Sequence, residues 1–330
     1  MRAAYYDEIG PAAAVIRIGE VETPTPGPGE LLVRLGASGV NPHDVKRRSG
    51  WLGVDTDCPR VIPHNDGAGL IEAVGDGVPR ERIGERVWTF GGRRGSCFGT
   101  AAEYIALAAD LAQPLPQSAS FAEGACIGAP AATAHMAVLR DGPVAGRTVL
   151  VAGGAGAVGH YAIQFAKLAG ATVLTTVSSP AKAAHARAAG ADQVIDYKTE
   201  DVIARVRALT DGAGVDRVVE VDFGANVAID AAIIKPGGVI ASYSSTAVRE
   251  PVLPYYSFAF KGVTLHMLQA YIMPPAALHA MIADIAERVA DGALTHTVAR
   301  RFPLAETAAA HEALESGQVI GKVVVEIDGR

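Results

Sequence analysis

Cysteine is scarce in this 330-residue chain: Cys58, Cys97 and Cys126 lie far apart and form no C-x-x-C pair. That spacing excludes a cysteine framework of the kind that staples small secreted domains, and any four-cysteine metal module. The expectation is a reducing, cytoplasmic setting without disulfides. Charge is also sparse, at 19% against 49% hydrophobic residues, and aromatics reach only 6%; a chain this apolar is not disordered. Basic residues are outnumbered, 29 Lys plus Arg against 35 Asp plus Glu, for a net charge of −6. That sign argues against an extended nucleic-acid surface. Long apolar runs are absent too. The blandest stretch, residues 121–139, is rich in Ala and Gly and carries Glu123, Pro130 and His135, so no membrane partner is expected. The first ten residues hold Asp7 and Glu8 where a signal core would be apolar.

What is present has two textures, and the length suits two domains. Up to about residue 121, short strand-like runs (31–35, 70–74, 86–90) alternate with turn residues such as Pro24-Thr25-Pro26-Gly27-Pro28-Gly29, the mark of a β-rich unit. From about residue 122, strands and helices alternate, which predicts a parallel sheet with crossover helices. An apolar strand at 148–152 precedes a helix at 158–169, whose small and apolar residues fall at 158, 161, 162, 165, 166 and 169. A strand at 172–177 follows. Ser179-Pro180 then opens a helix and Gly190 closes it. Strands near 193–195, 217–221 and 239–243 continue the series. A further strand after Gly262, a long helix near 275–291 and a strand at 322–327 complete the chain.

The strongest local signal is Gly153-Gly154-Ala155-Gly156-Ala157-Val158-Gly159, a G-x-x-G-x-x-G run between a buried strand and an amphipathic helix. Such glycines permit a tight turn, close approach to a pyrophosphate and close helix–sheet packing. The helix N-terminus then offers free N–H groups to phosphate. A site for NAD places Asp or Glu about 20 residues on, against the ribose 2′-hydroxyl. Here the second strand ends Thr175-Thr176-Val177-Ser178-Ser179 with no acid, and Lys182 follows one helical turn later. Hydroxyls and a lysine suit a 2′-phosphate, so the expected cofactor is NADPH; a solvated surface lysine is the ordinary alternative.

Taken together, these residues resemble the zinc-independent branch of the medium-chain dehydrogenase/reductases, the NADPH:quinone oxidoreductases of the zeta-crystallin type. The resemblance extends through Gly39-Val40-Asn41-Pro42, Arg48-Ser49-Gly50, the run from Pro63-His64-Asn65-Asp66 to Gly75, Ala102-Glu103-Tyr104, Gly190-Ala191-Asp192, Asp196-Tyr197, His311 to Ser316 and Gly321-Lys322-Val323-Val324. It implies an α/β protein. A GroES-like β-rich catalytic domain (1–121 and 264–330) would flank a Rossmann NADP-binding domain with a doubly wound parallel sheet (122–263), and the chain would form a homodimer. It also implies that Ser178, Lys182 and Tyr197 hold the 2′-phosphate and adenine side of NADPH. The nicotinamide would dock near Asp222-Phe223-Gly224 and Ser242-Tyr243-Ser244, where relatives often carry glycine in place of Ser244. Lys322 resembles a position close to the cofactor, and a strand-edge lysine accounts for it equally well. Asn226 reads as a helix cap.

In zinc-dependent relatives two cysteines and a histidine hold the catalytic metal; the matching positions here resemble Asn41, Asn65 and Ala129. Amides and a methyl do not replace thiolate and imidazole on zinc, so no metal is expected. Without a Lewis acid the fitting acceptor is one that takes hydride readily, a quinone or a carbonyl-conjugated alkene. The protein must then orient the reactants and stabilise a developing oxyanion. The candidate catalytic residues are Asn41, as the leading N–H donor, with Asn65 and with Lys46, which stands where the family often has tyrosine. His43 lies near the site, and Asp66 is read as orienting it. The expected function is NADPH-dependent quinone reduction. The alternatives are alkenal or enoyl reduction, or an NADPH-responsive binding protein with little turnover.

Overall fold

The computed structural model describes residues 1–51, 53, 58–93 and 95–327. It divides into unit 1, Met1–Ala129 with Pro275–Arg330, and unit 2, Pro130–Pro274. The strands in chain order are β1 (Arg2–Tyr5), β2 (Arg17–Glu20), β3 (Glu30–Val40), β4 (Asp66–Val74), β5 (Arg86–Thr89), β6 (Tyr104–Ala108), β7 (Ala112–Pro114), β8 (Thr148–Val151), β9 (Thr172–Val177), β10 (Gln193–Asp196), β11 (Val215–Glu220), β12 (Ile234–Ser242), β13 (Thr264–Met267), β14 (Val298–Pro303) and β15 (Lys322–Glu326).

Unit 1 is a β-rich body. Its main sheet runs β14-β15-β3-β4-β5-β7, with β6 also on β3, and β1 and β2 form a separate antiparallel ribbon. The long strand β3 organises the site. Its antiparallel register sets Gly39 opposite Asp66 at the start of β4, and Val40 opposite Val323 at the start of β15. Residues from three distant stretches of sequence are thereby brought to one end of β3. Ala3, Val40, Ile62, Phe302, Val323 and Val325 pack a core around this arrangement.

Unit 2 is a six-stranded parallel sheet in the order β10-β9-β8-β11-β12-β13, the doubly wound order of dinucleotide-binding folds. Its central strands are almost entirely buried, because helices cover both faces of such a sheet; β8 is Thr-Val-Leu-Val, whereas β11, Val-Asp-Arg-Val-Val-Glu, carries three charged residues. The helix Ala157–Leu168 is buried at every residue from Gly159 to Ala166, so Tyr161, Ala162, Phe165 and Ala166 of the expected stripe are buried along with His160, Ile163 and Gln164, while Val158 and Ala169 are only half-buried.

Several expectations change. The units divide at 129/130 and 274/275, where the sequence suggests 121/122 and 263/264. The short helix Phe121–Gly124 packs on β3 and β4 of unit 1, and β13 adds parallel to β12 in unit 2. Cys58 and Cys97 form a disulfide, with Cα atoms 5.5 Å apart. The loops bearing them meet across an isolated bridge between Ile62 and Phe98, a proximity that spacing along the chain does not reveal. A reducing compartment therefore no longer follows from the cysteines; Cys126 alone is a free thiol, buried. Among the described residues no helix is long and apolar enough to cross a membrane.

Candidate functional site

In unit 2, β8 and β11 are neighbours although β9 and β10 intervene in sequence. The crevice at such a switch point is where open parallel sheets bind ligands, and the glycine turn follows β8 there. Gly153 lies at φ 69°, in the left-handed region, and donates its N–H to Thr176 Oγ1 at 3.1 Å. A Cβ on Gly154 would stand 2.1 Å from Thr175 Oγ1, and one on Gly159 2.3 Å from the Gly153 carbonyl oxygen. Packing alone therefore demands those two glycines. Gly156 is different: it is the exposed N-cap of the helix Ala157–Leu168 and has no side chain to cap it. The N–H groups of Ala157, Val158 and Gly159 lack intrahelical acceptors and carry the positive end of the dipole. That cradle fits a pyrophosphate; Ala155 beside it is buried.

Parallel pairing of β9 with β10 brings the next groups together. Ser179 Oγ accepts the Lys182 N–H and caps the helix Pro180–Ala188. Lys182 Nζ donates to Ser178 Oγ at 3.1 Å. Tyr197 follows β10, donates its N–H to the Val177 carbonyl at 3.1 Å and leaves its ring 53% exposed. An ammonium, a hydroxyl and an open aromatic face, with no acid in residues 175–179, fit a dinucleotide carrying a 2′-phosphate.

Past β12, Ser242 Oγ donates to the Ser244 carbonyl at 3.2 Å, and the Phe223 N–H donates to the same oxygen at 3.0 Å. The Tyr243 N–H donates to the Glu220 carbonyl at 3.1 Å, and Ser244 Oγ pairs with Thr246 Oγ1. The Phe223 ring lies in the core of unit 2, so only its backbone is available to a ligand. Asp222 is the N-cap residue of the helix Phe223–Ile233, and its carboxylate takes the Thr246 and Ala247 N–H groups. Asn226 sits inside that helix, contrary to its reading as the cap, and donates to Glu220 Oε1 at 3.0 Å. Burial pushes the Glu220 carboxyl up, and burial together with the Glu220 charge pushes Asp230 up.

In unit 1, Asn41 precedes the helix Pro42–Arg48, with Pro42 at its first position. The buried Asn41 side chain donates from Nδ2 to Asp66 Oδ2 at 2.7 Å and accepts from Lys322 Nζ at Oδ1, 2.5 Å away. Lys322 Nζ also bonds Asp66 Oδ2 at 2.8 Å, and Asp66 Oδ1 accepts the Ala129 N–H at 2.7 Å. Asp66 thus joins Asn41, Lys322 and Ala129 by hydrogen bonds. The Asp44 carboxylate takes the Asn41 backbone N–H at 2.8 Å and Asn65 Nδ2 at 3.0 Å. Burial pushes Asp44 up to about 6, against the lowering effect of the Asn41 N–H. Asn65 Oδ1 accepts the Arg93 N–H at 3.3 Å, so its amide is engaged at both ends. Lys46 stands elsewhere, with Nζ 4.5 Å from the centroid of the Trp51 ring, and His43 is half-buried on the same helix.

Sequence reasoning missed three features. Asp44 is one; its position three residues after an Asn-Pro helix start could have flagged a capping carboxylate. The second is Lys322 as the partner of Asn41 and Asp66. The third is a buried imidazole pair, His64 Nε2 to His311 Nε2 at 2.9 Å, with Ser38 Oγ 2.8 Å from His64 Nδ1. Burial holds His64 well below its usual range and His311 down at about 3. A zinc centre does not fit the cluster. Asn41 and Asn65 offer amides, Ala129 only its backbone N–H, and no trio of His, Cys, Asp or Glu among the described residues is arranged around a metal.

Two family models match the chain: an alcohol dehydrogenase GroES-like domain over residues 27–117 and a zinc-binding dehydrogenase over residues 189–325. A quinone oxidoreductase of Lama guanicoe is 31% identical over 98% of this chain and 97% of its own. A mycobacterial protein solved in complex with NADPH matches with a TM-score of 0.85 at 30% identity, covering 99% of this chain and 100% of that one. An NAD-dependent alcohol dehydrogenase matches with a TM-score of 0.88 at 30% identity and the same coverage.

Proposed function

The chain belongs to the quinone oxidoreductase family of the medium-chain dehydrogenase/reductases, and from that premise we propose that it is a zinc-independent, NADPH-dependent reductase of quinones. The observation that carries this reading is the set Asn41, Asn65 and Ala129, two amides and a methyl at the positions that resemble the metal ligands of zinc-dependent relatives, packed around the buried Asp66–Lys322 ion pair. NADPH, when bound, supplies a hydride. The residues of the glycine turn hold its pyrophosphate, and Ser178, Lys182 and Tyr197 hold its 2′-phosphate and adenine. The backbone of Phe223 and the segment Ser242-Tyr243-Ser244 receive the nicotinamide end. Asn41 donates an N–H to the quinone oxygen on which charge develops. A solvent proton completes the hydroquinone, so one NADPH and one proton are consumed for each quinone reduced by two electrons. Lys46, on the indole of Trp51, lies outside this assignment.

The assay follows NADPH absorbance with 1,4-benzoquinone, 9,10-phenanthrenequinone or an alkenal, before and after EDTA treatment. Turnover with the quinones, unchanged by EDTA, supports the proposal. Turnover with the alkenal alone moves the assignment to a conjugated-alkene reductase, and NADPH binding without turnover to a binding protein.

Unit 2 also supports a second copy of this chain as partner. Strand β13 is a sheet edge. Around it in sequence Val252, Phe260 and Ile272 are 90%, 84% and 80% exposed, with Tyr255, Tyr256 and Met267 also open. An unpaired edge and an apolar surface of this kind invite burial against a symmetry mate. A dimer mass by light scattering is expected, and a monomer at micromolar concentration would refute it.

A further inference from the structure

The contacts of Asn41 determine which end of its amide can meet a ligand. Ammonium is a donor only and an ionised carboxylate an acceptor only. Lys322 therefore must bond the amide oxygen, and Asp66 must bond the amide nitrogen. Reversing the amide would set donor against donor and oxygen against oxygen. The two contacts, at 2.5 and 2.7 Å, leave one N–H on Nδ2 without a further partner among the described residues. The fold makes room for this arrangement. A Cβ on Gly39 would lie 2.8 Å from Lys322 Cε, and one on Gly128 2.2 Å from Asp66 Oδ1. Lys322 is 2% exposed and Asp66 fully buried, so water does not compete for either bond.

We propose that Lys322 is a positioning residue: it locks the Asn41 amide with its N–H, and not its carbonyl, presented to the acceptor oxygen. This rests on the quinone-reductase reading and adds to it a residue 281 positions away in sequence. Without a donor in this place the amide oxygen loses its bond, and Asp66 alone is left to hold the amide, which then turns more freely. A neutral side chain that still donates an N–H to Oδ1 keeps the amide as it is.

The test compares Lys322→Met with Lys322→Gln in the full chain; both are neutral and only the second is a donor. Lys322→Met should lower kcat roughly 10–100-fold, short of the loss of a whole donor. Lys322→Gln should stay within about fivefold of the parent, and both variants should bind NADPH within about twofold of it. The side-chain amide resonances of Asn41, assigned by their absence in Asn41→Ala, should move in Lys322→Met and hold in Lys322→Gln. Equal losses in the two variants overturn the proposal, because charge and not donation would then be what matters. A roughly tenfold weaker NADPH affinity with kcat retained also overturns it, by making Lys322 a cofactor contact. If Lys322→Met does not fold, a loss of about tenfold or more in kcat for Lys322→Gln is enough to overturn it. Failure of the parent enzyme with every acceptor would defeat the quinone reading, and the amide resonances would still decide this one.

Discussion

Removing the Lys182 side chain with Lys182→Ala should separate NADPH from NADH. The ammonium already donates to Ser178 Oγ at 3.1 Å and is half-buried, so part of its rotamer freedom is lost before any ligand arrives. On binding a 2′-phosphate it exchanges or shares a bond to a neutral hydroxyl, about 1 kcal/mol, for one between charged groups, about 1.5–3 kcal/mol. Partial exposure pulls the gain toward the lower end. A net 1–2 kcal/mol corresponds to about 5–30-fold in affinity. NADPH should therefore bind the variant roughly 5–30-fold more weakly, and NADH, which has no phosphate there, about as well as the parent. Titrations of protein fluorescence with each nucleotide, repeated at high salt, measure both constants; the NADPH preference should shrink as salt screens the charge. Equal losses for the two nucleotides would mean that the lysine side chain acts only through its packing and its bond to Ser178.

Asn41→Ala should lower kcat by roughly 100–1,000-fold, the cost of one oxyanion donor, with NADPH affinity unchanged; normal turnover would return Asn41 to a loop-structuring role. Reducing Cys58–Cys97, which closes a loop of 39 residues, should lower unfolding free energy by up to about 4 kcal/mol on chain-entropy grounds, read from urea curves with and without dithiothreitol. An unchanged midpoint would mean that the reduced loops stay just as constrained. Acid should destabilise the fold. His311 is held down at about 3, so below about pH 6.5 the unfolded chain takes a proton that the native state refuses, about 2 kcal/mol by pH 5. His64 and His296, also depressed by burial, add to the loss. Asp44, raised to about 6, works the other way: its stability contribution falls as pH rises from about 4 to 6, so acidification to pH 5 returns about 1 kcal/mol. A urea midpoint at pH 5 equal to that at pH 7 would contradict this balance.

What was legible in the sequence was local or periodic. The glycine turn, its amphipathic helix and the Ser179-Pro180 helix start depend on residues a few positions apart, and each forms where expected. Asn41 and Asn65 could be picked out by resemblance, but their hydrogen-bond partners could not. Asn41 meets Lys322 only because β15 pairs antiparallel with β3, and Asp66 joins them through the register of β4. The disulfide, the His64–His311 pair and the stacking of Lys46 on Trp51 are likewise products of tertiary placement. Asn226 shows a subtler error: Asp and Asn both favour helix starts, and the residue in that position is Asp222.

A stoichiometric turnover measurement distinguishes metal-free, two-electron reduction of a quinone by NADPH from the alternatives. EDTA-treated protein of verified metal content is mixed with NADPH and 9,10-phenanthrenequinone under anaerobic conditions, and both species are quantified. One NADPH should be oxidised for each hydroquinone formed, at a rate indifferent to added zinc and much slower with NADH. Turnover that appears only when zinc is restored, or no NADPH consumption at all, would contradict it.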